Sequence, residues 1–311
     1  MTDMLEVVFY LLFSAICAVI SIYFFYIAHR NRLRAKQAEE QRQQELIRAE
    51  QERIEAELQE RKKQEEQNRK EKEEREKHIA IQKELFQTEI LTIPAIFIPT
   101  EICSEKSKQS IEQIQNISFS RITKRTNIER LFPLVVIDVE TTGLHHRNDE
   151  IIEVSAIKYE SCFTPDSCFT TLCKPNKPIP LSATNINHIT NEMVSNAPTF
   201  CQIADSLSDF ISGCNLVGHN LYFDLKFLCA NGISFSNNKK FFDTLELSRY
   251  CFNCGEFFNY RYNAWMDVYS FKLDTLCEYI NVFRDDSHRS LSDCLATGKL
   301  FENIVSRKTT D

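Results

Sequence analysis

The run Leu134-Val-Val-Ile-Asp-Val-Glu140 places two acids at the end of an otherwise apolar stretch. A buried strand accounts for the apolar residues but not for Asp138 and Glu140. Side chains alternate along a strand, so residues two apart share a face, and the two carboxylates project side by side. Isolated buried carboxylates are costly, and close like charges raise each other's pKa. A divalent cation relieves both problems. The plain alternative is a strand end with two solvated acids. Gly143, in Thr141-Thr142-Gly143-Leu144, permits a tight turn or a close backbone approach there.

Two later segments carry further acids. In Leu216-Val-Gly-His-Asn-Leu-Tyr-Phe-Asp-Leu-Lys-Phe-Leu228, residues 215–218 read as a short strand and 221–230 as a helix. Asp224 falls in the first turn of that helix. It could serve only the helix dipole, or it could face the same site as Asp138. His219 and Asn220 lie at the strand-to-helix turn, at the mouth of the sheet, where open α/β sheets hold ligands. The third segment, His288-Arg-Ser-Leu-Ser-Asp293, runs into a stretch of helical periodicity (Leu295, Leu300, Ile304). Ser290 and Asp293 have capping-box spacing, which gives Asp293 a structural alternative. Five helical residues point about 140° apart. His288 must therefore sit in the loop before the helix if it is to converge with Asp293.

The elements that would position these groups read as an α/β domain over residues 131–311. The order is a first strand, a hairpin (150–159 with 169–173, turn at 164–167), helices, a strand, a helix and a long C-terminal helix. Ile152, Val154 and Ala156 alternate, imperfectly, with Glu153, Ser155 and Ile157. His145-His146 reads as an exposed loop pair. Cys251-Phe-Asn-Cys254 has half the spacing of a zinc site, but structural zinc wants four ligands and no second pair follows.

The first proline is Pro94 and the first glycine is Gly143. Turns need these residues, so the first 93 residues read as continuous helix. Residues 7–28 hold no charge and as a helix would span roughly 33 Å, enough to cross a bilayer. Arg30, Arg32, Arg34 and Lys36 follow this span and no basic residue precedes it. Positive charges stay inside. The expectation is therefore a single-pass anchor over residues 1–29 in the cell membrane, with the globular domain in the cytoplasm. Residues 30–89 read as a charged helical rod. Residues 30–78 carry 15 Lys/Arg and 14 Glu, with Glu→basic pairs four apart such as Glu66–Lys70. Ile47, Ile54 and Leu58 begin an apolar seam that Arg61 and Glu65 break, so a dimeric coiled coil, and with it a homodimer, is the weaker reading. Residues 90–130 read as a linker or extended arm packing on the domain, with 106–116 a linker or short helix.

Residues 131–311 carry 15 Lys/Arg and 22 Asp/Glu, the whole of the net charge of −7. That argues against a domain that grips nucleic acid by bulk charge alone. It suits an anionic site neutralised by metal. Of 12 cysteines, 10 lie between Cys162 and Cys294 without a repeated spacing. Most read as small buried hydrophobes in a reducing compartment.

Asp138-Val-Glu140-Thr-Thr-Gly-Leu144, Gly218-His-Asn-Leu-Tyr-Phe-Asp224 and His288-x-x-x-x-Asp293 together resemble the three motifs of the DEDDh 3′→5′ exonucleases, within the RNase H-like superfamily. Ile186-Asn-His-Ile-Thr-Asn-Glu-Met-Val194 and Phe242-Asp-Thr-Leu245 resemble the proofreading subunit of the bacterial replicase and its relatives. The resemblance covers about residues 131–306, with an insertion at 251–269 and nothing of the anchor or rod. It implies a mixed central sheet flanked by helices. It implies that Asp138, Glu140, Asp224 and Asp293 hold two divalent cations, Mg²⁺ or Mn²⁺, with His288 as general base. Thr142, Leu144, Asn220 and Phe223 are then substrate-contact candidates, Phe223 competing with a core role. The implied substrate is nucleic acid with a 3′ end, single-stranded DNA first. The alternatives are RNA as substrate, or a degenerate nuclease fold used as a membrane-tethered binding module.

Overall fold

The computed structural model describes residues 2–96, 117–236, 238–252, 256–259, 264–267, 270–284 and 288–310. The segment 106–116 and Cys254 lie outside them. The chain divides into two compact units, Met1–Glu73 and Glu74–Asp311.

Helix α1 (Thr2–Thr92) makes up the first unit and opens the second. It holds an 18-residue stretch of mean hydropathy 1.5, long and apolar enough to cross a membrane. Phe13, Ile20, Phe24 and Phe25 are exposed along it. Further on, the predicted Glu66–Lys70 pair forms at 2.9 Å, and Arg48 pairs with Glu52, in the reverse order along the helix, at 3.3 Å. Exposed pairs of this kind contribute only about 0.3–0.5 kcal/mol each.

The second unit is built on strands β1 (Leu134–Thr141), β2 (Ile151–Tyr159), β3 (Ser167–Leu172), β4 (Asn215–Gly218) and β5 (Phe241–Asp243). They form one mixed sheet in the order β3-β2-β1-β4-β5. β1, β2 and β3 pair antiparallel, and β4 and β5 join β1 in parallel. Around the sheet run α2 (Leu181–Asn187), α3 (Phe200–Phe210), α4 (Leu221–Ala230), α5 (Thr244–Cys251), α6 (Leu273–Tyr279) and α7 (Ser290–Thr310). Strands β6 (Glu256–Asn259) and β7 (Ala264–Asp267), in the insertion, pair only with each other.

Helices cover both faces of the sheet, which is why β1 opens on the unbroken apolar run Leu134-Val-Val-Ile137. Leu134 and Val136 enter a core with Leu295, Leu300 and Phe301 of α7. Val135, Ile137 and Val139 enter the opposite core with Leu207 of α3 and Leu225 and Leu228 of α4. The same double cover overturns the alternation expected of 150–159. Both faces of β2 are buried, Glu153 at 4% exposure included. His146 also departs from expectation. It is half-buried with its ring edge-on to Phe227, 6.3 Å between centroids, while His145 stays exposed.

The segment expected to be rod and arm is integral to this unit. Phe86 and Ile93 are buried in the α7-side core, and Glu89 pairs with Lys299 at 2.6 Å. Ala95 then bridges to Cys168 in parallel, with Ile96 N donating to Cys168 O at 2.9 Å. Phe119 bridges to Phe241, with Ser120 N donating to Phe241 O at 2.7 Å. The two edges of the sheet, β3 and β5, are thus both covered by the chain that precedes β1. Open edges expose unpaired backbone groups and invite aggregation. The expected boundaries at 89 and 130 therefore do not coincide with the division of the chain. Burial of apolar side chains from α1 carries the unit back to Glu74.

Among the described residues nine cysteines are free, and six of these are buried. Cys201 is disulfide-bonded, which departs from the expectation of thiols reduced throughout.

Full burial of a Phe or Ile side chain contributes about 1.5–3 kcal/mol. A fragment of residues 118–311 is therefore expected to unfold at lower denaturant than residues 74–311, by several kcal/mol in extrapolated stability. Equal midpoints would show that Phe86 and Ile93 stabilise nothing.

Candidate active site

Strand β1 carries Asp138 and Glu140 to its C-terminal end, where the register with β2 shifts after Glu140. Helix α7 starts at Ser290, so Asp293 falls in its first turn. Oxygens of Asp138, Glu140 and Asp293 lie within 4.8 Å of one another. The expected capping role of Ser290 is not observed. Its hydroxyl is 2.6 Å from that of Ser155, which ties the start of α7 to β2.

Asp224 is placed in the first turn of α4, as its sequence position suggested. It is buried, and its Oδ1 accepts from Val139 N at 3.1 Å. That bond holds it beside Asp138 but outside the three-carboxylate group. His288 occupies the loop before α7, exposed and with φ of 62°. It lines the same cleft of about 820 Å³ as Asp138, Asp293, Leu144, Asn220 and Phe223. Leu144 is 77% exposed in that cleft. Phe223 lines the cleft and also packs its ring on Phe227, with centroids 4.9 Å apart. Thr142 does not join the cleft. It is buried, its hydroxyl accepting from Glu150 N at 2.9 Å, and so it closes the β1–β2 connection. Gly143 is required by close approach, because a Cβ there would lie 2.5 Å from the Asp149 carboxylate.

Asn220 adopts a left-handed conformation, with φ of 62°, and donates its N–H to Asp243 Oδ1 at 2.9 Å. His219 also lines the cleft, but both of its ring nitrogens are tied to the surrounding fold. Its Nε2 lies 3.0 Å from Phe271 O and its Nδ1 2.9 Å from Thr244 Oγ1. Burial pushes its pKa down to about 4, which keeps it neutral and suits a structural tie.

Electrostatics follow from crowding. Burial, then the charge of Glu153, raises Asp138 to about 7. Burial, then Asp138, raises Glu140 to about 9. Burial and Asp138 also raise Asp224. Such a set, carboxylate oxygens only, is what Mg²⁺ and Mn²⁺ prefer, and the residues present fit these ions.

Two groups escaped the sequence reading. Glu153 faces Glu140 across the sheet and is neutralised by Arg289, Nη2 to Oε1 at 2.7 Å, and by Ser290 N at 3.0 Å. A glutamate inside an apolar strand was the available signal. Arg284, with a side chain 4% exposed, donates to Asp293 through Nη1 and to Asp274 through Nη2, the latter at 2.6 Å. It brings one positive charge into the site and lowers the pKa of Asp138. Nothing in the sequence around Arg284 marks it.

Comparison with known proteins places this geometry. Residues 135–301, more than half of the chain, match the family RNase_T, described as Exonuclease. The chain is 34% identical over 175 residues to "DNA polymerase III PolC-type" of Caldanaerobacter subterraneus subsp. tengcongensis, covering 56% of this chain and 12% of that protein. It is 44% identical over 93 residues to "DNA polymerase III subunit epsilon" of Treponema pallidum, covering 30% and 43%. To "3'-5' exonuclease DinG" of Bacillus subtilis it is 32% identical over 182 residues, covering 56% and 18%. The chain thus spans less than half the length of each of these relatives. Among solved structures, E. coli exonuclease I with a dT13 oligonucleotide superposes with a TM-score of 0.48 at 18% identity, covering 57% of this chain and 42% of that one. With the three motifs in order along one mixed sheet, the chain belongs to the Exonuclease (RNase_T) family, of the DEDD type with an RNase H-like fold.

Proposed function

We propose that this protein is a membrane-anchored 3′→5′ exonuclease that hydrolyses phosphodiesters from the 3′ end of single-stranded DNA. The observation that carries the reading is the approach of Asp138, Glu140 and Asp293 to within 4.8 Å in a cleft shared with His288. DNA is favoured over RNA because the chain's relatives include subunits of DNA polymerase III. The anchor rests on the apolar stretch of α1 and the basic residues that follow it.

Asp138, Glu140 and Asp293, with Asp224 beside them, would hold two divalent cations. When bound, such a pair activates a water and stabilises the leaving 3′-oxygen. His288, in the loop at the cleft, would accept the proton from the attacking water. Asn220, Leu144 and Phe223 would hold the terminal nucleotide. Arg284 would keep Asp293 in place and offset part of the site's negative charge.

Asp138→Ala is expected to cut Mg²⁺-dependent mononucleotide release from DNA by on the order of a hundred-fold or more. Its melting temperature should be unchanged or raised, because a crowded carboxylate is removed. Hydrolysis at the wild-type rate would end the assignment. Parallel digestion of matched DNA and RNA oligomers tests the substrate class, and faster loss of RNA would reverse it.

The raised carboxylates also set a pH dependence. Between their ordinary values, 3.8 and 4.5, and their folded values, about 7 and about 9, the folded state binds more protons than the unfolded one. Stability of the metal-free protein should therefore fall as pH rises through that window. The penalty is absent below it and complete above it. Mg²⁺ or Mn²⁺ should restore stability, increasingly at higher pH, and binding should release protons. Thermal melts with and without Mn²⁺ check this. A metal-free protein that gains stability from pH 5 to 9 would contradict it.

Extraction of membranes with alkaline carbonate tests the anchor. The full chain should stay in the pellet and a chain lacking residues 1–29 should be released; release of both would remove the anchor from the proposal.

A further inference from the structure

The second unit must hold a polyanion while carrying excess negative charge, so its basic surface should be concentrated. One such concentration lies behind helix α5. There Arg121 and Lys124, from the arm before β1, meet Tyr250 and Cys251 of α5 and Lys308 of α7 around a recess of about 310 Å³. Among the described residues, no acidic side chain lines it. Arg121 lies over the Tyr250 ring, with Cζ 4.9 Å from the centroid and Nη2 3.2 Å from the hydroxyl. Lys308 donates to Tyr250 O at 3.3 Å. Tyr250 remains 55% exposed.

This recess adjoins the carboxylate cleft across the width of one helix. Leu245 and Arg249, one turn apart on α5, line the cleft. Leu247, Tyr250 and Cys251 line the recess on the other flank. A helix with its side chains is about 10–12 Å across, and the exposed arc between the two flanks carries Arg249 and Tyr250, together with Glu246. Arg121, Lys124 and Lys308 all lie outside the family match of 135–301. The basic residues of the recess thus come from outside the matched segment, and its α5 wall from inside it.

We propose that the recess is a second binding surface for single-stranded nucleic acid, engaging the strand 5′ of the 3′ end held in the cleft. This rests on the exonuclease reading. Phosphates cross α5 at Arg249 and reach Arg121, Lys124 and Lys308, which supply the charge that non-specific strand binding uses. The Arg121–Tyr250 pair presents a flat, sequence-tolerant face for stacking a base. The surface would make affinity grow with strand length without touching the chemistry.

The test uses the full chain in detergent, with Lys124→Glu/Lys308→Glu and the milder Lys308→Gln. Substrates are a thymidine trinucleotide and an oligomer of about twenty thymidines. The double variant is expected to raise KM for the long oligomer by about ten-fold, with kcat unchanged. On the trinucleotide both constants should match wild type. The salt dependence of long-oligomer binding, followed by fluorescence anisotropy, should become shallower, by roughly 0.7 in slope for each phosphate the variant no longer neutralises. Lys308→Gln should lie between. An unchanged KM on the long strand, or an equal loss on both substrates, overturns the proposal. Should wild type hydrolyse neither oligomer, the exonuclease reading falls instead, and anisotropy with the same variants still decides the recess.

Discussion

Three carboxylates with oxygens within 4.8 Å, and a fourth buried against them, repel one another wherever they are ionised. Much of the surrounding structure answers that repulsion. The site is half-buried, so solvent screens it poorly, and Asp138 and Glu140 resist ionisation. Relief comes from a backbone donor at Asp224, from Arg284 on Asp293 and from Arg289 on Glu153. These contacts soften the charge without cancelling it. The residual negative potential is what gives divalent cations a reason to bind.

The supporting frame is unusual in being closed by the chain that precedes it. Residues 94–96 lie along β3 and residues 119–120 along β5. Phe86 and Ile93 plug the core under α7, the helix that presents Asp293. Position of the Asp293 carboxylate and packing of the segment around Phe86 and Ile93 are therefore linked through one hydrophobic cluster. The charged helix is not merely attached to the domain, since its end is part of the wall behind the site.

Charge is distributed with the same economy. Asp138, Glu140 and Asp293 gather at one cleft. The basic residues of the arm and of α7 gather around Tyr250, one helix away. A net negative domain can meet a polyanion in this way because attraction is local, acting over about a Debye length of 8–10 Å.

Read alone, the chain disclosed the α/β order, the strand at 215–218, the helix at 221–230 and the acids at a strand end and at helix starts, because these depend on local periodicity and on residues a few positions apart. The closeness of Phe223 to Asp224 and of Leu144 to Glu140 along the chain was legible for the same reason. The burial of Glu153, the use of Thr142 as a turn closure, the structural role of His219 and the half-burial of His146 were not. Each depends on a partner outside its own segment, eight residues away for Thr142 and tens of residues away for the others, or on a second layer of helices that turns an alternating strand into one buried on both faces. Arg284 shows the limit most clearly. Its meaning lies in meeting Asp293 and Asp274 at once, and only the folded chain brings a guanidinium to two carboxylates from two different helices.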